Sequence, residues 1–296
     1  MDDGLQGLTF LMPVYNGMPY LRESIASVTI QGGLNWKLLI VDDGSTDNSW
    51  EYIQSARGPN IDVRRNGTNL GLYATINAYV EEITTAWTCL IFQDDLLRPD
   101  FLEAVRYVGC SHPNASAIWC AVNTIDSNGH VIAEGIGSNR MEVIEPGLAA
   151  QLSVLLRGTF WTISGSVCRT RVLREYKFCR DLPHLGDFDF LLRALRKETF
   201  LYYEYPVVDI REHDRQASAR HLASLQDIKE RLTVVRKHLS ILANELYFGF
   251  RCRVAVSLCR AISTRGLGLL RRGQWQRALE CFALLPTALR TCFFSA

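Results

Sequence analysis

The sequence predicts an α/β fold: a mostly parallel sheet sandwiched by helices, followed by a helical C-terminal extension. Three observations carry this reading. Through the first 110 residues short apolar runs alternate with segments of helical periodicity; three polar clusters, Tyr15-Asn16, Asp42-Asp43 and Asp94-Asp95, stand at the ends of such runs; and from Leu225 the pattern is helical nearly to the end. Short apolar runs bounded by turn signals are what strands buried on both faces leave in a sequence, and helical crossovers between them make neighbouring strands parallel.

Leu8–Met12 is the first such strand, stopped by Pro13, and Leu21, Ile25 and Val28 share one face of a helix over Pro19–Ile30. Lys37–Val41 is the second strand; Ser45 or Thr46 is suited to cap a helix that starts near Asp47 and carries Trp50 and Ile53. Ile61–Arg64 reads as a third strand and Leu72–Ile83 as helix. Trp87–Phe92 forms a fourth strand, and Pro99 fits the first position of the helix after it. Further on, Ala117–Val122 is strand-like, Asp126-Ser127-Asn128-Gly129 is a hairpin turn leading to Val131-Ile132, Phe188–Arg196 is helical and Tyr202–Val208 extended. The helical extension breaks around Arg265-Gly266-Leu267-Gly268 and at Pro286. The expected division is 1–224, with halves 1–110 and 111–224, and 225–296.

With 48% hydrophobic and 21% charged residues, the 296-residue chain has enough apolar surface to exclude a disordered or collagen-like protein. Its net charge of +1 excludes a globally basic nucleic-acid binder, yet hides a division: residues 1–228 carry 20 Lys and Arg against 28 acids, whereas residues 229–296 carry 12 against three. The nine cysteines include no C-x-x-C pair, which points to reduced thiols rather than a disulfide framework or zinc site. An acidic N-terminus unlike a signal peptide, and no 18-residue uncharged apolar stretch, lead to the expectation of a cytoplasmic protein.

In open α/β sheets ligands bind at the carboxyl ends of strands, where the three polar clusters fall. Asp94-Asp95 could hold a divalent cation on a diphosphate, although an Asp pair after a strand is also ordinary loop chemistry. Asp187 or Asp189 could act as a general base, or cap a helix. Arg211 could grip phosphate and His213 a metal, or be structural.

The order of these segments resembles the family-2 glycosyltransferases, nucleotide-sugar enzymes with the GT-A fold. Met12-Pro13-Val14-Tyr15-Asn16-Gly17, Val41-Asp42-Asp43-Gly44-Ser45-Thr46-Asp47, Asn69-Leu70-Gly71-Leu72 and Gln93-Asp94-Asp95-Leu96-Leu97-Arg98-Pro99-Asp100 carry the resemblance. Gly186–Arg193, and Arg211-Glu212-His213 with Gln216 and Ser218, extend it to about residue 220. The resemblance implies a GT-A-type, Rossmann-like sheet and an inverting transfer. Pro13, Tyr15, Asn16 and Asp42 or Asp43 would hold nucleobase and ribose, and the Asn69–Gly71 turn would close over the nucleotide. Asp94 and Asp95 would bring Mg²⁺ or Mn²⁺ to the diphosphate, with His213 a further ligand and Arg211 a phosphate contact. Asp187 would deprotonate the acceptor hydroxyl. Two positions depart from the family's pattern: Phe92 stands where many relatives have a first Asp, which ranks Asp95 ahead of Asp94 as metal ligand, and Gly186 stands where Glu is frequent, which makes Asp187 the sole base candidate of that pair.

The implied donor is a nucleotide-sugar, UDP-linked, and the implied acceptor a saccharide or lipid-linked saccharide of a cell-surface glycan. The arginines and large apolar residues interleaved over 229–296 suit a peripheral contact with an anionic membrane, on the inner face of the plasma membrane, or else a bundle packed on the catalytic part. No nucleic-acid motif accompanies that charge, so no nucleic acid is expected. Two competing classes are a nucleotidyltransferase acting on sugar phosphates and a non-catalytic glycan-assembly scaffold. The first wants a glycine-rich basic loop after the first strand, where this chain has Tyr15-Asn16-Gly17-Met18-Pro19; intact Asp94, Asp95, Asp187 and His213 count against the second.

Overall fold

The first apolar run becomes β1 (Leu8–Val14), buried along its whole length. In a computed structural model that describes residues 7–33, 35–135, 141–158, 161–214, 216 and 224–293, it lies at the centre of a parallel group. β1 pairs with β2 (Trp36–Asp42) on one side and β4 (Trp87–Leu90) on the other, and β2 pairs with β3 (Ile61–Arg65), all parallel. Pro13 is tolerated in this central strand because the pairing with β4 ends at Leu11, so its missing N–H falls beyond the ladder.

The parallel character changes beyond β4. β9 (Ser166–Arg169) enters antiparallel to β4, and β6 (Ala117–Ile125) pairs antiparallel with β9. β10 (Phe200–Arg211) runs parallel to β6 and takes β5 (Leu96–Leu97) and β8 (Met141–Ile144) as antiparallel edges. β7 (Val131–Ala133) pairs with β6 through the expected Asp126–Gly129 turn. Among the described residues the strand order is β3-β2-β1-β4-β9-β6-β10-β5, one mixed sheet.

Alternation along the strands divides the core between two faces. Phe10, Met12 and Val14 pack with Leu21, Ile25 and Val28 of α1 (Leu21–Thr29) and with Phe101 and Val105 of α4 (Phe101–Ser111). Leu11, Leu39 and Val41 face α3 (Leu72–Tyr79), α5 (Leu148–Arg157) and α7 (Gly186–Ala194). The C-terminal extension joins this second core. It consists of α8 (Gln226–Ile241), α9 (Phe248–Arg271), α10 (Trp275–Phe282) and α11 (Leu285–Phe293), and Leu232, Val235, Leu239, Val254, Leu258 and Cys281 belong to the same apolar cluster as α7. α6 (Thr170–Tyr176) follows β9 on the same side.

Several local expectations are corrected. α2 (Ser49–Ser55) begins at Ser49, and neither Ser45 nor Thr46 caps it. The Ser45 hydroxyl instead accepts the N–H of Asn16, and the carboxylate of Asp47 accepts the N–H of Ser49. Pro99 precedes α4 by two residues, because Leu96 and Leu97 pair with β10 and keep the chain extended up to it. The helix over Leu72–Ile83 is α3 followed by a 3₁₀ turn at Val80–Glu82. α9 runs unbroken through Arg265–Gly268: a Cβ at Gly266 would stand 2.5 Å from the Phe282 ring, so glycine marks a close helix crossing rather than a break. Pro286 sits in the first turn of α11, where its missing N–H costs nothing. All nine cysteines are free thiols, and among the described residues no helix is long and apolar enough to cross a membrane.

Candidate active site

The loop after β1 and the loop after β2 are stapled together by side chains. Asn16 adopts a left-handed backbone (φ 51°), which turns its side-chain oxygen onto the N–H groups of Thr46 (2.8 Å) and Asp47 (3.3 Å). Ser49 accepts the N–H of Gly17 at 2.9 Å. Gln93 clamps Tyr15 from the end of β4, accepting its N–H at 2.7 Å and donating to its carbonyl at 3.1 Å. Pro13 is buried in β1, whereas the Tyr15 ring is 38% exposed and can take a planar ligand.

Asp42 and Asp43 do different work. Asp43 accepts from the Asn66 side chain (2.7 Å) and from the N–H groups of Leu70 (2.9 Å) and Gly71 (2.8 Å), so it holds the Asn69–Gly71 turn. Gly44 (φ 75°) lets that turn approach, since a Cβ there would lie 2.9 Å from the Asn69 nitrogen. Asp42 is fully buried, accepts the N–H of Ser45 at 3.2 Å and pairs with Arg65 at 3.1 Å through Oδ2. Its Oδ1 is buried with no hydrogen-bond partner, an acceptor left over for a ligand donor.

At the end of β4, Asp94 and Asp95 also diverge. Asp94 Oδ2 lies 3.1 Å from His213 Nε2, both side chains largely buried, and His213 packs against the Tyr20 ring at 4.6 Å. Asp95 turns the other way and accepts the backbone N–H of Arg211 at 3.0 Å. Burial and, next, the neighbouring Asp94 carboxylate push the Asp95 carboxyl up to about 8, against opposing hydrogen bonds from Ser164 and Arg211. Asp94 and His213 are the residues that could hold a divalent cation, through one carboxylate oxygen and one ring nitrogen. Among the described residues no group of three His, Cys, Asp or Glu converges as a metal site.

Arg211 is not open to a phosphate. It is 1% exposed; Nε donates to the Asp94 carbonyl (3.0 Å), Nη2 to Glu23 (2.6 Å), and Nη1 to the carbonyls of Asp126 (3.3 Å) and Ser127 (3.4 Å). Its guanidinium stacks over Tyr20 at 4.7 Å. Every guanidinium nitrogen is thus committed to tying the Asp126 turn, α1 and the Asp94 loop together. Gln216 donates to the Arg211 carbonyl, whereas Ser218 lies outside the described residues.

Asp187 stands in the first turn of α7. The Tyr73 hydroxyl accepts its N–H at 3.3 Å, and burial pushes the Asp187 carboxyl up to about 6, against the N–H of Phe188 and the nearby Tyr73 hydroxyl, which favour the ionised form. Gly186 is glycine for a visible reason: a Cβ there would meet the Tyr73 ring at 2.5 Å and the Cys179 carbonyl at 2.9 Å. Tyr73 lies two residues beyond Gly71, so the first residues of α3 stand between the turn held by Asp43 and the seat of Asp187. Asp189 is no base. It is fully buried among Lys237 (2.7 Å), Arg193 (2.9 Å) and His238 (3.1 Å), and these partners outweigh burial to hold its carboxyl well below the usual range.

The sequence of an uncharacterized glycosyltransferase from Haemophilus influenzae is 33% identical to this chain over 200 residues, covering 66% of this chain and 75% of that protein. The profile of Glycosyl transferase family 2 matches residues 9–139. The chain belongs to glycosyl transferase family 2. A second H. influenzae glycosyltransferase is 21% identical over 274 residues, 85% of this chain and 79% of the other. Among solved structures, S. aureus TarS 1–349 in complex with UDP-GlcNAc superposes with a TM-score of 0.67 at 18% identity, over 95% of this chain and 81% of that one. That likeness establishes the GT-A glycosyltransferase fold, and its extent takes in helices that the sequence motifs do not reach.

In this glycosyltransferase Tyr73 and Gln93, neither of them among the residues expected at the site, brace Asp187 and Tyr15; Gln93 lies within the Gln93–Asp100 motif and Tyr73 directly follows the Asn69–Leu72 motif.

Proposed function

We propose that this glycosyltransferase inverts the anomeric centre of a nucleotide-sugar, UDP-linked, while passing the sugar to a hydroxyl of a saccharide or lipid-linked saccharide in cell-surface glycan synthesis. The observation that carries the reading is Asp187: a half-buried carboxyl, raised to about 6, at the start of α7, where the Tyr73 hydroxyl of α3 binds its N–H two residues beyond the turn that Asp43 holds. A base of that pKa is ionised at neutral pH yet still accepts a proton readily. The acceptor O–H gives its proton to Asp187 while its oxygen bonds the anomeric carbon, and the bond from that carbon to the diphosphate breaks with inversion. One displacement needs one base, and no covalent intermediate forms.

Tyr15 is suited to stack on the base and Asp42 Oδ1 to accept a nucleobase or ribose donor. Asp94 and His213 would hold Mg²⁺ or Mn²⁺, which when bound supplies positive charge to the departing diphosphate. The UDP-GlcNAc complex of the TarS fold neighbour supports a UDP donor here. A membrane-bound acceptor is consistent with the arginines of 229–296 and with Trp275, Leu279 and Val256, each about two-thirds exposed.

A thermal-shift screen of UDP, GDP, dTDP and their sugars, with and without Mn²⁺, tests the donor. UDP compounds should raise the midpoint most, and only with metal. Asp187→Asn should keep that shift but abolish UDP release; full turnover in this variant would refute the base assignment.

A further inference from the structure

We infer that the C-terminal extension completes the active site, with Glu230 of α8 acting as a positioning residue for Asp187. The inference rests on the reading of Asp187 as the base. Glu230 is 3% exposed, and its Oε2 accepts two backbone N–H groups, those of His184 (3.0 Å) and Leu185 (2.7 Å). These precede α7 directly, and Asp187 is the second residue of that helix.

The first N–H groups of any helix lack partners within it, and a nearby Ser, Thr, Asp or Asn usually supplies one. At α7 the capping position is Leu185, which offers no side-chain cap. The acceptor comes instead from 45 residues later in the chain, as an anion at the positive end of the helix dipole. Burying a carboxylate is costly unless it is well hydrogen-bonded, and Glu230 is: Gln226 donates to its other oxygen at 2.8 Å. A second grip lies one turn further along α7, where Lys237 and His238 of the same α8 bind Asp189. Asp187 thus sits between two clamps from the extension, and the ionisable groups facing it are Tyr73 from α3 and Glu230 from α8.

Full-length Glu230→Gln and Glu230→Ala test this. With UDP and Mn²⁺ as the probe, the thermal shift should match wild type in both, because the donor end is untouched. UDP release from UDP-sugar should fall through kcat rather than KM, on the order of a hundredfold for Ala, as expected when a reacting group is displaced. In Glu230→Gln, near-isosteric and expected to fold, the Asp187 carboxyl, followed by ¹³C NMR without substrate, should titrate at lower pH because a neighbouring negative charge is gone. Wild-type kcat in both variants, a loss shared equally by donor affinity, or an unmoved Asp187 titration would each overturn the inference. Failure of the base reading shows up separately, as full turnover by Asp187→Asn.

Discussion

The hydroxyl of Tyr73 accepts the backbone N–H of Asp187 at 3.3 Å, joining α3 to the first turn of α7, and its proximity favours the ionised form of the Asp187 carboxyl. The ring is itself fixed by stacking on Phe178, with centroids 5.1 Å apart and planes 14° from parallel. Tyr73→Phe keeps the stack and removes the hydroxyl. The nearby hydroxyl favours the carboxylate, so its loss should raise the Asp187 pKa and move the acid limb of the pH–rate profile upward. Stability should drop by only about 1 kcal/mol, measured by denaturant unfolding.

Turnover should depend on pH through the same carboxyl. A base raised to about 6 must be ionised to act, so kcat/KM should be halved near that pH and fall about tenfold per unit below it. The sign for stability is opposite. A carboxyl whose folded pKa exceeds its unfolded value binds its proton more tightly when folded, so its contribution is present below the unfolded value and is lost as pH rises through about 6. Asp187→Asn should therefore raise the melting midpoint at pH 7 to 8 while abolishing turnover. A lowered midpoint would contradict the raised pKa.

Asp94→Asn and Asp95→Asn should behave differently in calorimetric titration of UDP with Mn²⁺. Asp94 faces His213, so its loss, like that of His213, should remove the metal dependence. Asp95 serves the Arg211 backbone, and the Asn amide oxygen can still accept that N–H, so binding should survive within a few-fold. Equal losses in the two variants would contradict the divergence of the pair.

Asp189→Ala should destabilise the fold by about 3–5 kcal/mol, because it strands Arg193, Lys237 and His238 beside an empty buried position. Its folded pKa is depressed, so the wild-type contribution is fully present above the unfolded carboxylate value and is lost progressively as pH falls from there through the lower folded value. The gap between the unfolding curves of the two proteins should be narrower near pH 3 than at pH 7 without closing, because the folded pKa lies lower still.

Much of this architecture was legible along the chain. Apolar runs marked β1, β2 and β4 because both faces of those strands are covered, and the polar clusters after them lie where parallel strands end. The antiparallel entry of β9 was not legible: Ser166–Arg169 is too short to show a period. Nor was the division of labour within each acidic pair, since what distinguishes Asp42 from Asp43 is that only Asp43 faces Asn66, Leu70 and Gly71, more than twenty residues away. Arg211 reads as a phosphate grip in one dimension and is a buried tie in three. Glu230 was invisible because a cap supplied from a distant helix leaves no local pattern.

α3 is an eight-residue helix with two fastenings at its start, Asp43 on Gly71 just before it and Asp187 on Tyr73, its second residue. A piece that short behaves as a rigid bar. Chimeras that join the first 110 residues of one relative to the remainder of another would therefore inherit a mismatched strut unless Tyr73, Gly186 and Asp187 travel together. Exchanging donor preference between such enzymes calls for grafting this trio as one cassette.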